Sequence, residues 1–290
     1  MNTNNLTYQF KQASIVLKLI VINTAIFLIV YLGAFFLQIS ATAFTSWLVL
    51  PTDIITFLKQ PWSIITYAFL HAGFWHLFWN MYLLYWFGTF TLNLFKAKRF
   101  LTIYLLGGIS GGLLYVLAYN LFPVFSDVNS NLMGASAAVL AIVIFIATYT
   151  PNTEVKLFMF KLKLWQIGLA MVLLDLVQLP SSGNAGGLIA HMGGALFGYL
   201  YATQLTKGND IGSWFEDLVN WLVNLLKPRE KKPFRKVYRA TKPKSSRSIN
   251  TKPSEEYQKK IDTILDKIGH SGYDSLTKAE KDFLFKAGKK

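Results

Sequence analysis

The sequence predicts an all-α, polytopic membrane protein, in which a bundle of six transmembrane helices precedes a small helical C-terminal tail. Of the 290 residues, 53% are hydrophobic and only 15% are charged, whereas a soluble domain carries about 25% charged residues. The charge is also uneven, since residues 1–206 hold nine Lys/Arg and four Asp/Glu, and residues 207–290 hold twenty and eleven. This asymmetry indicates a membrane domain followed by a water-facing segment and argues against a cytosolic enzyme.

Six apolar stretches are long enough, or nearly long enough, to cross a bilayer, which takes roughly 20 residues at about 1.5 Å each. The stretches are 13–38, 74–95, 100–121, 134–150, 163–179 and 186–205. The apolar run of the first stretch is far longer than that of a secretory signal. We therefore interpret it as a transmembrane helix rather than as a cleaved leader.

The distribution of basic residues predicts the orientation of these helices. Lysine and arginine flank the first stretch and recur at 96–99 and 150–163, whereas 39–73 carries only Lys59. Basic loops remain on the cytoplasmic side of a membrane. Alternate loops are therefore expected to face the cytoplasm, and both termini are predicted to be cytoplasmic.

Few polar residues fall within or beside the predicted helices, and these are candidates for chemistry because a polar group in lipid is costly. They are His71, His76, Asn80, Ser136, Asp175 and His191. In the predicted topology His76, Ser136 and His191 lie roughly 3–8 Å below the outer surface. The chain has no cysteine, which excludes thiolate nucleophiles and thiolate metal sites. A serine and a histidine at one depth suggest a nucleophile and its base.

The same residues suggest how a tetrahedral intermediate could be stabilised. His76 and Asn80 are four residues apart and share one helix face, and together with the Ser136 backbone N–H they could hold an oxyanion. No Asp or Glu is expected at this depth, so the pattern predicts a Ser–His dyad without an acidic neighbour. Asp175 is interpreted as a structural residue bonded to a loop or to water, with a functional role as the alternative. A packing role is the alternative for Ser136.

Three motifs, in this order, resemble those of the rhomboid family of intramembrane serine proteases. They are His-Ala-Gly-Phe-Trp-His at 71–76 followed by Asn80, Gly-Ala-Ser at 134–136, and Ala-His-Met-Gly-Gly at 190–194. The resemblance covers roughly residues 60–200. It implies a six-helix core with Ser136 as the nucleophile and His191 as the general base. No cofactor is expected, and no metal site is expected because the chain has no cysteine and only three histidines in its membrane region. Two further groups of positions are implied: His76 and Asn80 as oxyanion stabilisers, and His71, Gly134 and Gly194 as motif-supporting residues.

Four positions depart from the family pattern. Ser63 stands where an arginine often follows the tryptophan, and Leu92 stands where an acidic residue is common. Ala137 replaces a glycine that often follows the nucleophile, and Leu140 replaces an aromatic residue that packs on the base. None of the four belongs to the dyad. The departures therefore bear on loop rigidity and on the catalytic rate rather than on the type of reaction.

The polar C-terminal part is predicted to have three segments after the membrane domain at 1–206. An amphipathic interfacial helix with a Trp/Leu stripe is expected at 207–227, and a basic disordered linker at 228–253. Residues 254–290 are expected to form a small helical extension that resembles one found on some bacterial rhomboids. Anionic membrane lipid is the expected partner of the linker. Nucleic acid is the disfavoured alternative, because the linker has no fold to organise it.

The leading hypothesis is an intramembrane serine endopeptidase of a bacterial inner membrane. It would cleave the transmembrane segments of membrane proteins near their extracytoplasmic ends. One alternative is a catalytically idle rhomboid-like membrane-protein binder, which the presence of both Ser136 and His191 disfavours. A small transporter is the other alternative, and the absence of an inverted repeat disfavours it.

Overall fold

The computed structural model describes residues 6–157, 160–226 and 255–288. The chain divides into two compact units, residues 1–228 and residues 229–290, and each unit is described by itself. The predicted basic linker at 228–253 lies outside the described residues. All of the site residues selected from the sequence belong to the first unit.

Helices form most of the first unit. Its α-helices are α1 (Leu6–Gln12), α2 (Ile15–Leu37), α3 (Ala41–Thr45), α4 (Ile54–Lys59), α5 (Ser63–Thr66), α6 (Phe74–Leu94), α7 (Ala97–Leu121), α8 (Ser136–Tyr149), α9 (Leu164–Gln178), α10 (Ala185–Thr206) and α11 (Ser213–Leu226). Short 3-10 turns lie at Tyr67–Phe69 and Pro123–Phe125. The six apolar stretches correspond, in order, to α2, α6, α7, α8, α9 and α10.

Two of these six helices, α2 and α7, are long and apolar enough to cross a membrane. Helices α8 and α9 have 14 and 15 residues, which is about 21–23 Å of helix and shorter than the roughly 30 Å of hydrocarbon. Helices α6 and α10 have 21 and 22 residues, but they also carry histidine, asparagine and glycine residues that lower their hydropathy. The count of six spans stays a prediction.

The outer surface of the helices is apolar. Phe35 and Phe36 at the end of α2 are 73% and 75% exposed, and Val177 on α9 is 75% exposed. A soluble protein rarely presents large apolar surfaces to water. This exterior is suited to lipid.

Two short strand pairs correct the all-α expectation. β1 (Leu50–Pro51) pairs antiparallel with β2 (Asn131–Leu132), and β3 (Glu154–Leu157) pairs antiparallel with β4 (Phe160–Lys163). Strands of two to four residues are too short for the alternating pattern by which a strand is recognised. The first pair joins the long connection between α2 and α6 to the loop immediately before α8.

Helix α8 lies at the centre of the first unit, with every residue from Ala137 to Ala147 buried. Glycines on α10 let the two helices touch. A Cβ at Gly194 would overlap the carbonyl oxygen of Ala137, and a Cβ at Gly198 would overlap that of Ala141 one turn further on. Contact between two backbones needs small residues. The glycine spacing therefore sets the distance between α8 and α10.

A polar cluster holds α11 against the start of α7 and the end of α10. Asp210 accepts a hydrogen bond from the Tyr201 hydroxyl at 2.7 Å and forms an ion pair with Arg99. Lys98 Nζ donates to Asn220 Oδ1 of α11 at 2.8 Å. Burial would raise the pKa of Asp210, but the hydrogen bonds from Tyr201 and Arg99 outweigh burial and lower that pKa below its usual value.

The second unit contains α12 (Glu255–Ser271), a 3-10 turn at Tyr273–Ser275 and α13 (Lys278–Ala287). Helix α13 begins with a capping box, in which the Thr277 N–H donates to Glu280 Oε2 at 2.7 Å. Lys267 of α12 forms an ion pair with Glu280 at 3.0 Å. The hydrogen bonds from Thr277 and Lys267 lower the pKa of Glu280 to about 2. The start of α13 is thereby tied to α12.

Gly194→Ala is expected to destabilise the first unit, because the added methyl group has no room beside the Ala137 carbonyl and overpacking costs about 1–3 kcal/mol. Gly183→Ala is the matched control, since nothing lies within 4 Å of a Cβ built there. Thermal unfolding of the purified protein in detergent measures the difference. Equal melting temperatures for the two variants would contradict the described packing of α10 on α8.

Candidate active site

Five of the six polar residues selected from the sequence, all but His71, line one cavity of about 460 Å³. His76 lies in the first turn of α6 and Asn80 one turn further on, Ser136 is the first residue of α8, and His191 lies in the second turn of α10. All four line the cavity. They come from the N-terminal ends of three helices, so the cavity lies at one end of the first unit.

The loop before α8 sets Ser136 against His76. Gly134 has a φ of 134°, which side chains disfavour, and its N–H donates to the Tyr67 carbonyl at 2.9 Å. A Cβ built on Gly134 would lie 2.8 Å from His76 Nε2 and 3.5 Å from Ser136 Oγ. The missing side chain of Gly134 thus leaves the space that His76 and Ser136 share.

His76 is held in one tautomer by its own loop. The Ala72 N–H donates to His76 Nδ1 at 3.3 Å. A ring nitrogen that accepts a hydrogen bond carries no proton, so the neutral ring carries its proton on Nε2. His76 therefore presents an N–H donor near Ser136.

Asn80 is buried, and its orientation is fixed by its own helix. Asn80 Nδ2 donates to the His76 carbonyl at 2.8 Å. A carboxamide nitrogen has two N–H groups, and the second is available to a group in the cavity. Asn80 can thus supply a donor beside that of His76.

The N-terminus of α8 adds backbone donors. The Val139 N–H bonds to the Ala135 carbonyl, whereas the N–H groups of Ser136, Ala137 and Ala138 precede that bond and have no partner within the helix. No side chain of the N-cap residue caps this end of α8. The helix dipole also places partial positive charge there, which favours an anion.

Asp175 lines the same cavity, with its Oδ2 at 2.8 Å from His191 Nδ1. The expectation of a Ser–His pair without an acidic neighbour is therefore wrong, and so is the expectation that Asp175 bonds a loop or water. Helix α9 ends at Gln178 and α10 begins at Ala185, so a short loop returns the chain beside α9. The sequence does carry a signal for this contact, because an acidic residue inside an apolar helix needs a polar partner.

The three motif-supporting residues lie next to the cavity rather than in its wall, and they are Gly134, described above, His71 and Gly194. His71 is buried, lines a smaller cavity of about 100 Å³, and packs edge-on against His76 with ring centroids 5.2 Å apart. Burial, and to a lesser degree the neighbouring His76, lowers the pKa of His71 to about 3, so its ring is neutral at physiological pH. Gly194 contacts Ala137, the residue after Ser136.

The four departures from the family pattern are packed into the protein. Ser63, Ala137 and Leu140 are buried, and Leu140 forms part of the cavity wall. Leu92 is half-buried against the core. Within the described ranges, no group of three His, Asp or Glu side chains is arranged to hold a metal ion.

A family model described as the Rhomboid domain matches residues 58–208, which is just over half of the chain and includes every residue of the cavity wall. The chain belongs to the rhomboid family. A rhomboid domain with two helices apolar enough to cross a bilayer and a lipid-suited exterior is an integral membrane protein. A second model, a family of unknown function (DUF6576), matches residues 252–289, which include α12 and α13.

Curated relatives of this rhomboid protein are mitochondrial by name. Rhomboid protein 1, mitochondrial, of Saccharomyces cerevisiae is 31% identical over 147 residues, which is 50% of this chain and 42% of the relative. Presenilin-associated rhomboid-like protein A, mitochondrial, of Danio rerio is 27% identical over 46% of this chain and 35% of the relative. RHOMBOID-like protein 12, mitochondrial, of Arabidopsis thaliana is 26% identical over 50% of this chain and 47% of the relative. The matched part of the chain thus spans less than half the length of each relative.

Gly134→Ala is expected to disturb the site of this rhomboid domain. The new methyl group would meet the His76 ring, and the positive φ would be strained by about 1–3 kcal/mol. Amide hydrogen exchange in segment 130–136 should therefore become faster. Gly73→Ala is the matched control, because Gly73 precedes the same histidine by three residues and nothing lies within 4 Å of its Cβ position. Unchanged exchange in 130–136 would contradict the described geometry.

Proposed function

We propose that this rhomboid protein is an intramembrane serine endopeptidase, with Ser136 as the nucleophile and His191 as the general base. One observation carries the proposal: both side chains line one cavity together with a His76 ring that offers an N–H. A serine hydroxyl is a weak nucleophile until a neighbouring base takes its proton. The proposed substrates are transmembrane proteins, and the apolar residues Trp79, Leu83 and Met171 in the cavity wall suit such chains.

The reaction begins when Ser136 Oγ attacks a peptide carbonyl carbon while His191 Nε2 takes the hydroxyl proton. Negative charge develops on the carbonyl oxygen, where His76 Nε2–H, the Asn80 amide and the Ser136 backbone N–H stabilise it. His191 then gives its proton to the departing amine, which leaves an acyl ester on Ser136. Water that His191 deprotonates attacks this ester, releases the carboxylic acid and restores the serine.

The proposed topology has six spans, α2 and α6 to α10, in a bacterial inner membrane with both termini cytoplasmic. Basic residues at 96–99 and 150–163 support this orientation. The site then lies near the extracytoplasmic ends of α6, α8 and α10. Helix α8 has only 14 residues, which fits a helix that begins below the membrane surface. Cleavage is accordingly proposed near the extracytoplasmic end of a substrate helix.

Labelling with a fluorophosphonate, which reacts with activated serines, tests the proposal together with cleavage of a model transmembrane substrate. The wild-type protein should be labelled and should cleave. Ser136→Ala and His191→Ala should each abolish both activities, and the double variant should be no worse than either single one, because the two residues act as a unit. Ser126→Ala, at an exposed serine, and His270→Ala, in the second unit, are the matched controls.

A further variant in the same assay tests oxyanion stabilisation. Asn80→Ala should lower kcat by roughly 10²–10³-fold with little change in KM, because an oxyanion donor acts in the transition state. Proteolysis by purified Ser136→Ala would contradict the proposed mechanism. A wild-type protein that binds a transmembrane client but is neither labelled nor active would favour the catalytically idle binder instead.

We further propose that α11 lies at the cytoplasmic membrane interface. Five of its exposed apolar side chains are spaced along one face of the helix, namely Trp214, Leu218, Trp221, Leu222 and Leu225. The Lys98–Asn220 hydrogen bond and the Arg99–Asp210 ion pair hold this helix beside the start of α7, which the proposed topology places at the cytoplasmic surface. Segment 228–253 is rich in lysine and arginine. Attraction to anionic lipid contributes about 1 kcal/mol per basic residue.

Spin labels test this placement, since the chain has no cysteine and accepts single cysteines as unique sites. In vesicles with anionic lipid, a label at Leu218→Cys should collide with oxygen dissolved in the lipid. A label at Asp217→Cys, which is exposed on another face, should collide with a water-soluble paramagnetic reagent and serves as the matched control. Equal access of the water-soluble reagent to both sites would argue against an interfacial α11.

A further inference from the structure

The imidazole of His191 is held by a carboxylate from the neighbouring helix. Asp175, near the end of α9, places Oδ2 at 2.8 Å from His191 Nδ1 on α10. The Asp175 side chain is 16% exposed and that of His191 is 20% exposed. A hydrogen bond that is largely shielded from water is electrostatically stronger than one in water. Both residues line the cavity that contains Ser136.

We propose that Asp175 is a positioning residue that sets the tautomer and the orientation of His191, an inference that rests on the proposed serine protease mechanism. A carboxylate only accepts hydrogen bonds, so the proton of the neutral His191 ring lies on Nδ1 in this pair. The lone pair of the ring is then on Nε2, the nitrogen that takes the Ser136 proton. In the other tautomer Nε2 carries a proton and cannot act as the base.

The pair also balances charge during the proposed reaction. When His191 takes the Ser136 proton it becomes an imidazolium, and the Asp175 carboxylate is already in hydrogen-bond contact with it. The proton travels from Ser136 to His191 and then to the departing amine. Asp175 remains ionised throughout and acts through its hydrogen bond and its charge.

Asp175 is itself placed by the packing of α9. Gly168 lets α9 approach α8, where a Cβ would come within 3.0 Å of the Ala147 Cβ. On the part of α9 closer to the cavity, Leu173 and Leu174 are exposed. That end of α9 therefore buries little apolar surface, and the Asp175–His191 bond is a polar contact that joins it to α10.

Asp175→Asn separates a positioning role from a merely structural one. Asparagine keeps the size and a hydrogen bond, but its Nδ2 can donate to His191 Nδ1 and favour the tautomer with the proton on Nε2. We expect kcat to fall by about tenfold or more, with KM within about twofold of wild type and an unchanged melting temperature. Asp175→Ala loses the bond without imposing the wrong tautomer, so its kcat should be no lower than that of Asp175→Asn.

Two further measurements complete the test. Gln178→Ala, which removes another polar side chain from the end of α9, is the matched control and should leave kcat unchanged. Nitrogen-15 NMR of the histidine-labelled protein reads the tautomer directly, since the chain has four histidines. His191 of the wild type should be protonated on Nδ1, and Asp175→Asn should move the population towards protonation on Nε2.

Several results would overturn the inference. One is a wild-type His191 protonated on Nε2, and another is an Asp175→Asn variant with kcat within about twofold of wild type. A third is an Asp175→Asn variant in which kcat and the melting temperature fall together. That result would indicate a structural role alone. The two proposals fail in different ways. Turnover by Ser136→Ala overturns the protease mechanism, whereas an inactive Ser136→Ala with a fully active Asp175→Asn removes only Asp175 from it.

Discussion

The contact between the backbones of α10 and α8 is the constraint on which the site depends. Gly194 follows His191 by three residues, and Ala137 follows Ser136 directly, so the contact between Gly194 and the Ala137 carbonyl sets the proposed base beside the proposed nucleophile. A side chain at 194 would force the two helices apart. Gly198 repeats the contact against Ala141 one turn further on, which keeps the helices in the same relation along their length.

Hydrogen bonds at the edge of the cavity make the two histidines chemically different. His76 accepts from the Ala72 N–H at Nδ1, so its proton lies on Nε2 and its ring is a donor towards the cavity. His191 bonds the Asp175 carboxylate through Nδ1, so its Nε2 is left as an acceptor. One imidazole is thereby suited to hold a developing negative charge and the other to take a proton. The same side chain can take the two proposed roles because its neighbours differ.

Much of this architecture was predictable because the signals are local. Hydropathy placed a helix at each of the six apolar stretches to within a few residues, and the three motifs selected Ser136, His191, His76 and Asn80, which the fold brings to one cavity. The strand pairs were missed because Leu50–Pro51 and Asn131–Leu132 are too short for a periodic pattern. These two strands lie in different loops, about 80 residues apart in sequence, and they come together only when the helices pack.

Residue types and their spacing along the chain were sufficient for the mostly helical fold, the membrane character and the choice of candidate residues, because each of these follows from patterns within one segment. The partner of His191 was decided by tertiary structure alone. Asp175 lies 16 residues before His191 on a different helix, and its reach depends on the packing of α9 against α8 and on the short loop before α10. A hydrogen bond forms only within a few tenths of an ångström of its ideal length, and no pattern within a single helix specifies the distance between two helices.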